Sequence, residues 1–164
     1  MKLFFKIVFV SILINTFASA NELLQTSSKL IANGKNVILF FGTKTCPYCE
    51  VMKKDFVKDK ELNAMLKKNF NIYYIPLDEY KEYEMGDKKL PKKTNTTSLK
   101  MGFAVKTTPQ IIMFDKAWNK IFQLPGYADP SQLKIFIRFM EGLESGKYTI
   151  KDYRKYLKDE GMIK

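Results

Sequence analysis

Cys46-Pro47-Tyr48-Cys49 constrains this chain more than any other segment, and it holds the only two cysteines. Two residues separate them, a spacing that closes a small disulfide ring or opens into a dithiol. The upstream run Val37-Ile38-Leu39-Phe40-Phe41 clusters β-branched and aromatic residues without a helical period, and predicts a buried strand. Downstream, Val51, Met52, Asp55, Phe56 and Lys58 follow at helical spacing. The motif therefore stands where a strand turns into a helix. A thiol at that point faces unpaired N–H groups and the positive end of the helix dipole, both of which favour the thiolate. The thiolate is the nucleophile of thiol–disulfide exchange. A purely structural bridge is the competing reading, but it would close a very short loop and remove little entropy from the unfolded chain. Structural zinc wants four Cys or His ligands. With two cysteines and no histidine in the chain, no metal is expected unless a dimer supplies the other thiolates.

The first twenty residues read as a leader. Lys2 and Lys6 form a short basic region, Ile7 to Ile14 is apolar but for Ser11, and Ala18-Ser19-Ala20 has the small-x-small pattern of a cleavage site. A secretory signal peptide over 1–20 is expected, with cleavage before Asn21. The apolar stretch is short for a membrane span, which weighs against an uncleaved anchor. Residues 21–164 then form one domain with a full core. The expected location is the periplasm, where a disulfide can persist. The chain carries 28 Lys+Arg against 17 Asp+Glu, and only Arg138 and Arg154 are arginine. Scattered lysines without an aromatic-interleaved stripe argue against nucleic-acid binding. They read as a solvated surface, with mild steering toward acidic partner proteins as the alternative.

Along the chain, residues 22–33 predict a short amphipathic helix with Leu23, Leu24, Ser27, Leu30 and Ile31 inward, ended by Asn33-Gly34. Strands are expected at Val37–Phe41, Asn71–Leu77, Gln110–Asp115 and Lys120–Leu124. The last two are joined by the turn Lys116-Ala117-Trp118-Asn119 into a hairpin. Helices are expected at 47–58, Glu61–Lys68, Thr97–Lys106, from Asp129-Pro130 to Glu144, and Asp152–Lys158. The charged stretch 79–95 reads as a loop or mobile insert. The order gives an α/β three-layer sandwich with a mixed four- or five-stranded sheet flanked by helices.

These elements resemble the thioredoxin superfamily, whose plan runs strand, CxxC, helix, strand, helix, cis-proline, hairpin and closing helix. The resemblance covers nearly all of residues 21–164. The chain looks most like the exported SoxW-like bacterial thioredoxins, from the polar stretch before Thr97, Pro125-Gly126-Tyr127, and the tail Tyr148, Tyr153, Tyr156. The resemblance implies that Cys46 attacks and Cys49 resolves, and that Thr108-Pro109 is a cis-proline site docking a substrate peptide. It also implies reduction of disulfide-containing exported proteins, with a membrane electron donor behind it. No cofactor is expected, and a monomer is the default. Open alternatives are a periplasmic disulfide oxidase or isomerase, a glutathione-dependent glutaredoxin-like enzyme, and a non-catalytic binding module on the same scaffold.

Two departures from the family pattern bear on mechanism. Phe40 stands six residues before Cys46, where thioredoxins usually carry a buried aspartate, and Tyr74 stands at the partner lysine's position. Deprotonation of Cys49 is left to water, a carboxylate such as Glu50, or the substrate's leaving thiolate. The middle pair Pro47-Tyr48 is the pair seen in glutaredoxins, and Pro47 offers the Cys46 thiolate one N–H fewer. Tyr48 reads either as an aromatic rim against substrate or as helix-start packing. Lys44 reads as an exposed loop lysine, or as a cation lowering the Cys46 pKa. Trp118 reads as a packing residue of the hairpin turn. Gly126 with Tyr127 reads either as bordering the active site or as shaping the turn into the last long helix, with turn shaping favoured for Tyr127.

Overall fold

The computed structural model describes residues 23–86 and 93–164. The expected leader at 1–20, and 87–92 of the polar stretch, lie outside the described residues. The central sheet has five strands in the order β1(Leu24–Gln25), β4(Phe70–Pro76), β3(Asn36–Gly42), β7(Gln110–Phe114), β8(Lys120–Pro125). β3 runs parallel to β4 and antiparallel to β7, so the sheet is mixed, as the element order predicts. Every residue of β3 is buried, which explains its unbroken apolar run: both faces are covered.

One face packs against helices α1(Pro47–Lys58), α2(Lys60–Asn69), α4(Pro130–Glu144) and α5(Tyr153–Asp159) through Ile38, Phe40, Met52, Phe56, Leu66 and Ile137. Val37, Leu39 and Phe41 point to the other face. There they meet Leu99 of α3(Thr96–Gly102) and a second, three-stranded sheet in the order β2(Lys29–Leu30), β5(Glu82–Met85), β6(Lys93–Asn95). α4 begins at the predicted Asp129-Pro130, where Asp129 and Gln132 exchange side-chain-to-backbone hydrogen bonds in a capping box.

Three expectations are corrected. From Leu24 onward the segment expected as a helix is two short strands. Leu24-Gln25 pairs with Ile72-Tyr73, and Lys29-Leu30 pairs with Glu84-Met85. Leu23 enters the first core and Leu30 the second, on opposite faces of the main sheet, which one helix face cannot reach. Between them Thr26-Ser27-Ser28 favours local bonding over helix, and the Ser27 hydroxyl accepts the Lys29 N–H at 3.0 Å. Ile31 is turned outward, its backbone held by the Tyr73 hydroxyl, which accepts its N–H and donates to its carbonyl. The expected loop at 79–95 contains β5 and β6. Glu82, Tyr83, Glu84 and Met85 alternate exposed and buried, the period of a strand with one solvated face. The helix expected to reach Lys106 stops at Gly102. Val105 donates to the Lys100 carbonyl and Ala104, at φ 49°, to that of Met101, a Schellman close.

Gly142 sits inside α4, where alanine would ordinarily stabilise by about 1 kcal/mol. Here a Cβ would lie 2.1 Å from Tyr148 Cδ2 and 2.6 Å from its Cε2. Gly142→Ala is therefore expected to destabilise by about 1–3 kcal/mol, the cost of overpacking. Urea denaturation reads the sign, and a midpoint equal to or above the parent's would mean that the Tyr148 ring yields freely.

Candidate active site

β3 ends at Gly42, and three residues separate it from Cys46, where the chain enters α1. Cys46 is the N-cap, in extended backbone, and Pro47 takes the first helical position, where a missing N–H leaves nothing unsatisfied. The Cys46 sulfur accepts the Cys49 N–H at 3.1 Å, so it occupies the place of a capping oxygen. A disulfide joins Cys46 and Cys49, with their Cα atoms 5.3 Å apart. The two sulfurs are not equivalent: Cys46 retains 7% exposure and Cys49 none.

The other loops at this end of the sheet come from β7 and β8. Gln110 pairs with Phe41 and with Pro125, which brings Thr108-Pro109 and Gly126-Tyr127 to the same edge as the cysteine loop. The Thr108-Pro109 bond is cis. Thr108 is half-buried and Pro109 buried, with the Pro109 carbonyl accepting the Gly126 N–H at 2.8 Å. Gly126 takes φ +81° and so supplies the turn.

Tyr48 projects from the first turn of α1 at 62% exposure, which excludes simple helix-start packing. Its ring centroid is 6.1 Å from that of Tyr127, whose hydroxyl donates to Asp55 Oδ2 at 2.6 Å. That bond, reinforced by burial and by the charges of Asp55 and Asp129, pushes the Tyr127 phenol up to about 12. Of the two readings of Tyr127, the favoured turn-shaping one gives way to the other: Tyr127 is clamped onto α1 beside the motif, and Gly126 makes the turn. Lys44 is engaged by a carboxylate of the loop after β4. It ion-pairs with Glu79 at 2.8 Å while 73% exposed, and that partner raises its pKa. Trp118 is buried against Phe114 in the hairpin turn, as expected.

Beneath the motif, Phe40 meets Tyr74 edge-on at 5.6 Å and Phe56 at 5.8 Å, so hydrocarbon lines this side of Cys49. Gly42 closes the pocket. A Cβ there would stand 2.8 Å from Tyr74 Cε2, 2.9 Å from the Tyr74 hydroxyl and 3.2 Å from Cys49 Sγ. A glycine ending an apolar strand run is a sequence signal of such close approach. Tyr74 also borders an open groove of about 400 Å³ with Leu24, Glu50, Lys53 and Val57. Lys53 Nζ sits 4.1 Å from the Tyr74 ring centroid and 2.9 Å from Glu50 Oε1, so the Glu50 carboxylate is already engaged by an ammonium.

Residues 25–141 match the thioredoxin-like domain family. A solved thioredoxin-fold protein from Helicobacter pylori is similar at 32% identity and a TM-score of 0.72, over 87% of this chain and 92% of that one. A thioredoxin from Thermus thermophilus shares the fold at a TM-score of 0.52 and 18% identity, over 73% of this chain and 90% of that one. No curated protein matches the sequence. A CxxC-spaced disulfide on this fold points, at a general level, to thiol–disulfide oxidoreductase chemistry.

Proposed function

Since the chain belongs to the thioredoxin-like domain family, we propose that it is a periplasmic thiol–disulfide oxidoreductase of the SoxW-like kind, reducing disulfides of exported partner proteins. The observation that carries this reading is the asymmetry of the pair. Cys46 caps α1, accepts a backbone N–H and keeps 7% exposure, while Cys49 has none. The same donor that caps the helix favours the thiolate over the thiol at Cys46. That thiolate attacks a substrate disulfide and forms a mixed disulfide. Cys49 then attacks Cys46 Sγ, releasing the substrate as a dithiol and leaving Cys46–Cys49 oxidised.

Thr108 and cis Pro109 dock the substrate backbone, and Tyr48, braced by Tyr127, is the aromatic rim. The reaction needs no cofactor beyond the dithiol itself. A leader at 1–20 delivers the domain to the periplasm, and a membrane electron donor restores the dithiol. The working form is a monomer that binds no nucleic acid. Support for the SoxW-like subtype comes from Pro125-Gly126-Tyr127, which borders the motif, and from the tyrosine tail, which is packed into the core.

The equilibrium reduction potential of the pair, measured on protein beginning at Asn21, tests the direction. A reductase is expected near the thioredoxin end of the scale, roughly −270 mV. A value near roughly −120 mV would overturn the assignment in favour of a disulfide donor.

A further inference from the structure

Resolution requires Cys49 to lose a proton where that loss is costly. Its sulfur is fully enclosed, in a core cluster with Phe40, Met52 and Phe56. An apolar enclosure disfavours a thiolate unless a hydrogen bond meets it. Histidine is absent from the chain. Glu50, the nearest carboxylate in sequence, is held by Lys53. A polar side-chain atom lies close by: the Tyr74 hydroxyl oxygen and Cys49 Sγ both lie within 3.2 Å of the position that a Gly42 Cβ would take.

Resting on the exchange reading above, we infer that the Tyr74 hydroxyl is the hydrogen-bond donor that steadies the Cys49 sulfur as it becomes the attacking thiolate. Opening the disulfide frees the Cys49 side chain to rotate toward the hydroxyl, and one bridging water serves equally well. In the balanced step, the Cys49 S–H gives up its proton to water and the thiolate attacks Cys46 Sγ. The Cys46–Cys49 bond forms as the Cys46–substrate S–S bond breaks. The departing substrate thiolate takes a proton from water to become a thiol. The pair is oxidised by two electrons and the substrate disulfide reduced by two, while Tyr74 ends the step protonated as it began.

The surroundings suit a donor rather than a base. Burial and the carboxylates of Asp78, Glu50 and Glu79 push the Tyr74 phenol up to about 12, so it keeps its proton throughout the working range. The Lys53 ammonium lies over the ring face, 4.1 Å from its centroid. Gly42 is the residue that lets the hydroxyl and the sulfur share the pocket.

Stopped-flow reaction of the reduced protein with a symmetric nitrothiobenzoate disulfide separates the two attacks. One coloured thiolate is released when Cys46 attacks and a second when Cys49 resolves. Tyr74→Phe is expected to leave the first phase unchanged and slow the second roughly tenfold, the worth of a hydrogen bond to a charged atom. The pH midpoint of the second phase should rise by about one unit, since tenfold is one pKa unit. Gly42→Ala, which keeps the tyrosine but pushes its ring away, should reproduce the slow second phase. A second phase in Tyr74→Phe with the parent's rate and pH midpoint overturns the inference and leaves the exchange reading intact. A parent protein that releases no second thiolate overturns both.

Discussion

Replacing Cys46 by serine takes disulfide reduction to the uncatalysed background, whereas Cys49→Ser gives a protein that captures its substrates and does not let them go. The two outcomes follow from the unequal placing of the sulfurs. Cys46, the more exposed of the two, stands at a helix N-cap, where its sulfur already accepts an N–H at 3.1 Å. A serine hydroxyl there caps the helix as well or better, so the fold is retained. It has no accessible anion near neutral pH, so the nucleophile is lost. Cys49 is enclosed behind Cys46 and meets the substrate only through it. With serine at 49 the first attack proceeds and the mixed disulfide on Cys46 persists. Non-reducing electrophoresis of extract from cells expressing each variant should show covalent adducts for Cys49→Ser and none for Cys46→Ser. Equal capture by the two variants, or full phenotype in both, would instead identify a binding module that makes no use of the pair.

Phe139→Ala is expected to cost about 3–5 kcal/mol, the range for emptying a buried aromatic site. Phe139 is fully buried on the inner face of α4. Its ring is stacked on Tyr148 at 5.6 Å and lies 5.1 Å from Tyr156, with Phe122 and Tyr153 each at 5.7 Å. This one ring joins β8, α4 and the tail through α5. Removing it leaves three tyrosines without their common partner, and a cavity that the rigid rings are slow to fill. Against a typical domain stability of about 5–15 kcal/mol, that loss is a large share. Urea denaturation should show it as a lowered midpoint. A loss below about 1 kcal/mol, the ordinary effect of a point substitution, would mean that the tail is not anchored through this ring.

Much of the framework is written locally. β3 spans its predicted apolar run with one residue added at each end, and α1 covers the predicted 47–58. The hairpin and the Asp129-Pro130 start are also where the sequence places them. These signals are local because each depends on one residue type at one spacing: a continuous apolar run, a proline after a cap, a turn between two strands. The segment from Leu24 to Leu30 carries the same apolar spacing as a helix. Its leucines are divided between two cores by the edge of a sheet, and sequence periodicity cannot see that division. β5 did leave a trace in the alternation of Glu82-Tyr83-Glu84-Met85, masked by the charge density around it.

The sequence by itself determined that a strand, a dithiol motif and a helix follow one another. That order specifies which sulfur caps the helix and hence where the nucleophile lies. Its determinants are short-range: a thiol, a proline and an apolar run within a few residues. What surrounds that nucleophile was decided by tertiary structure. The Tyr48–Tyr127 contact joins residues from α1 and from the turn after β8. The pocket shared by Tyr74 and Cys49 exists because β4 lies parallel beside β3, with Tyr74 opposite Phe40 and Gly42 opposite Pro76. Such pairings depend on strand register and on the absence of a single Cβ, and they arise only when distant segments of the chain are brought together.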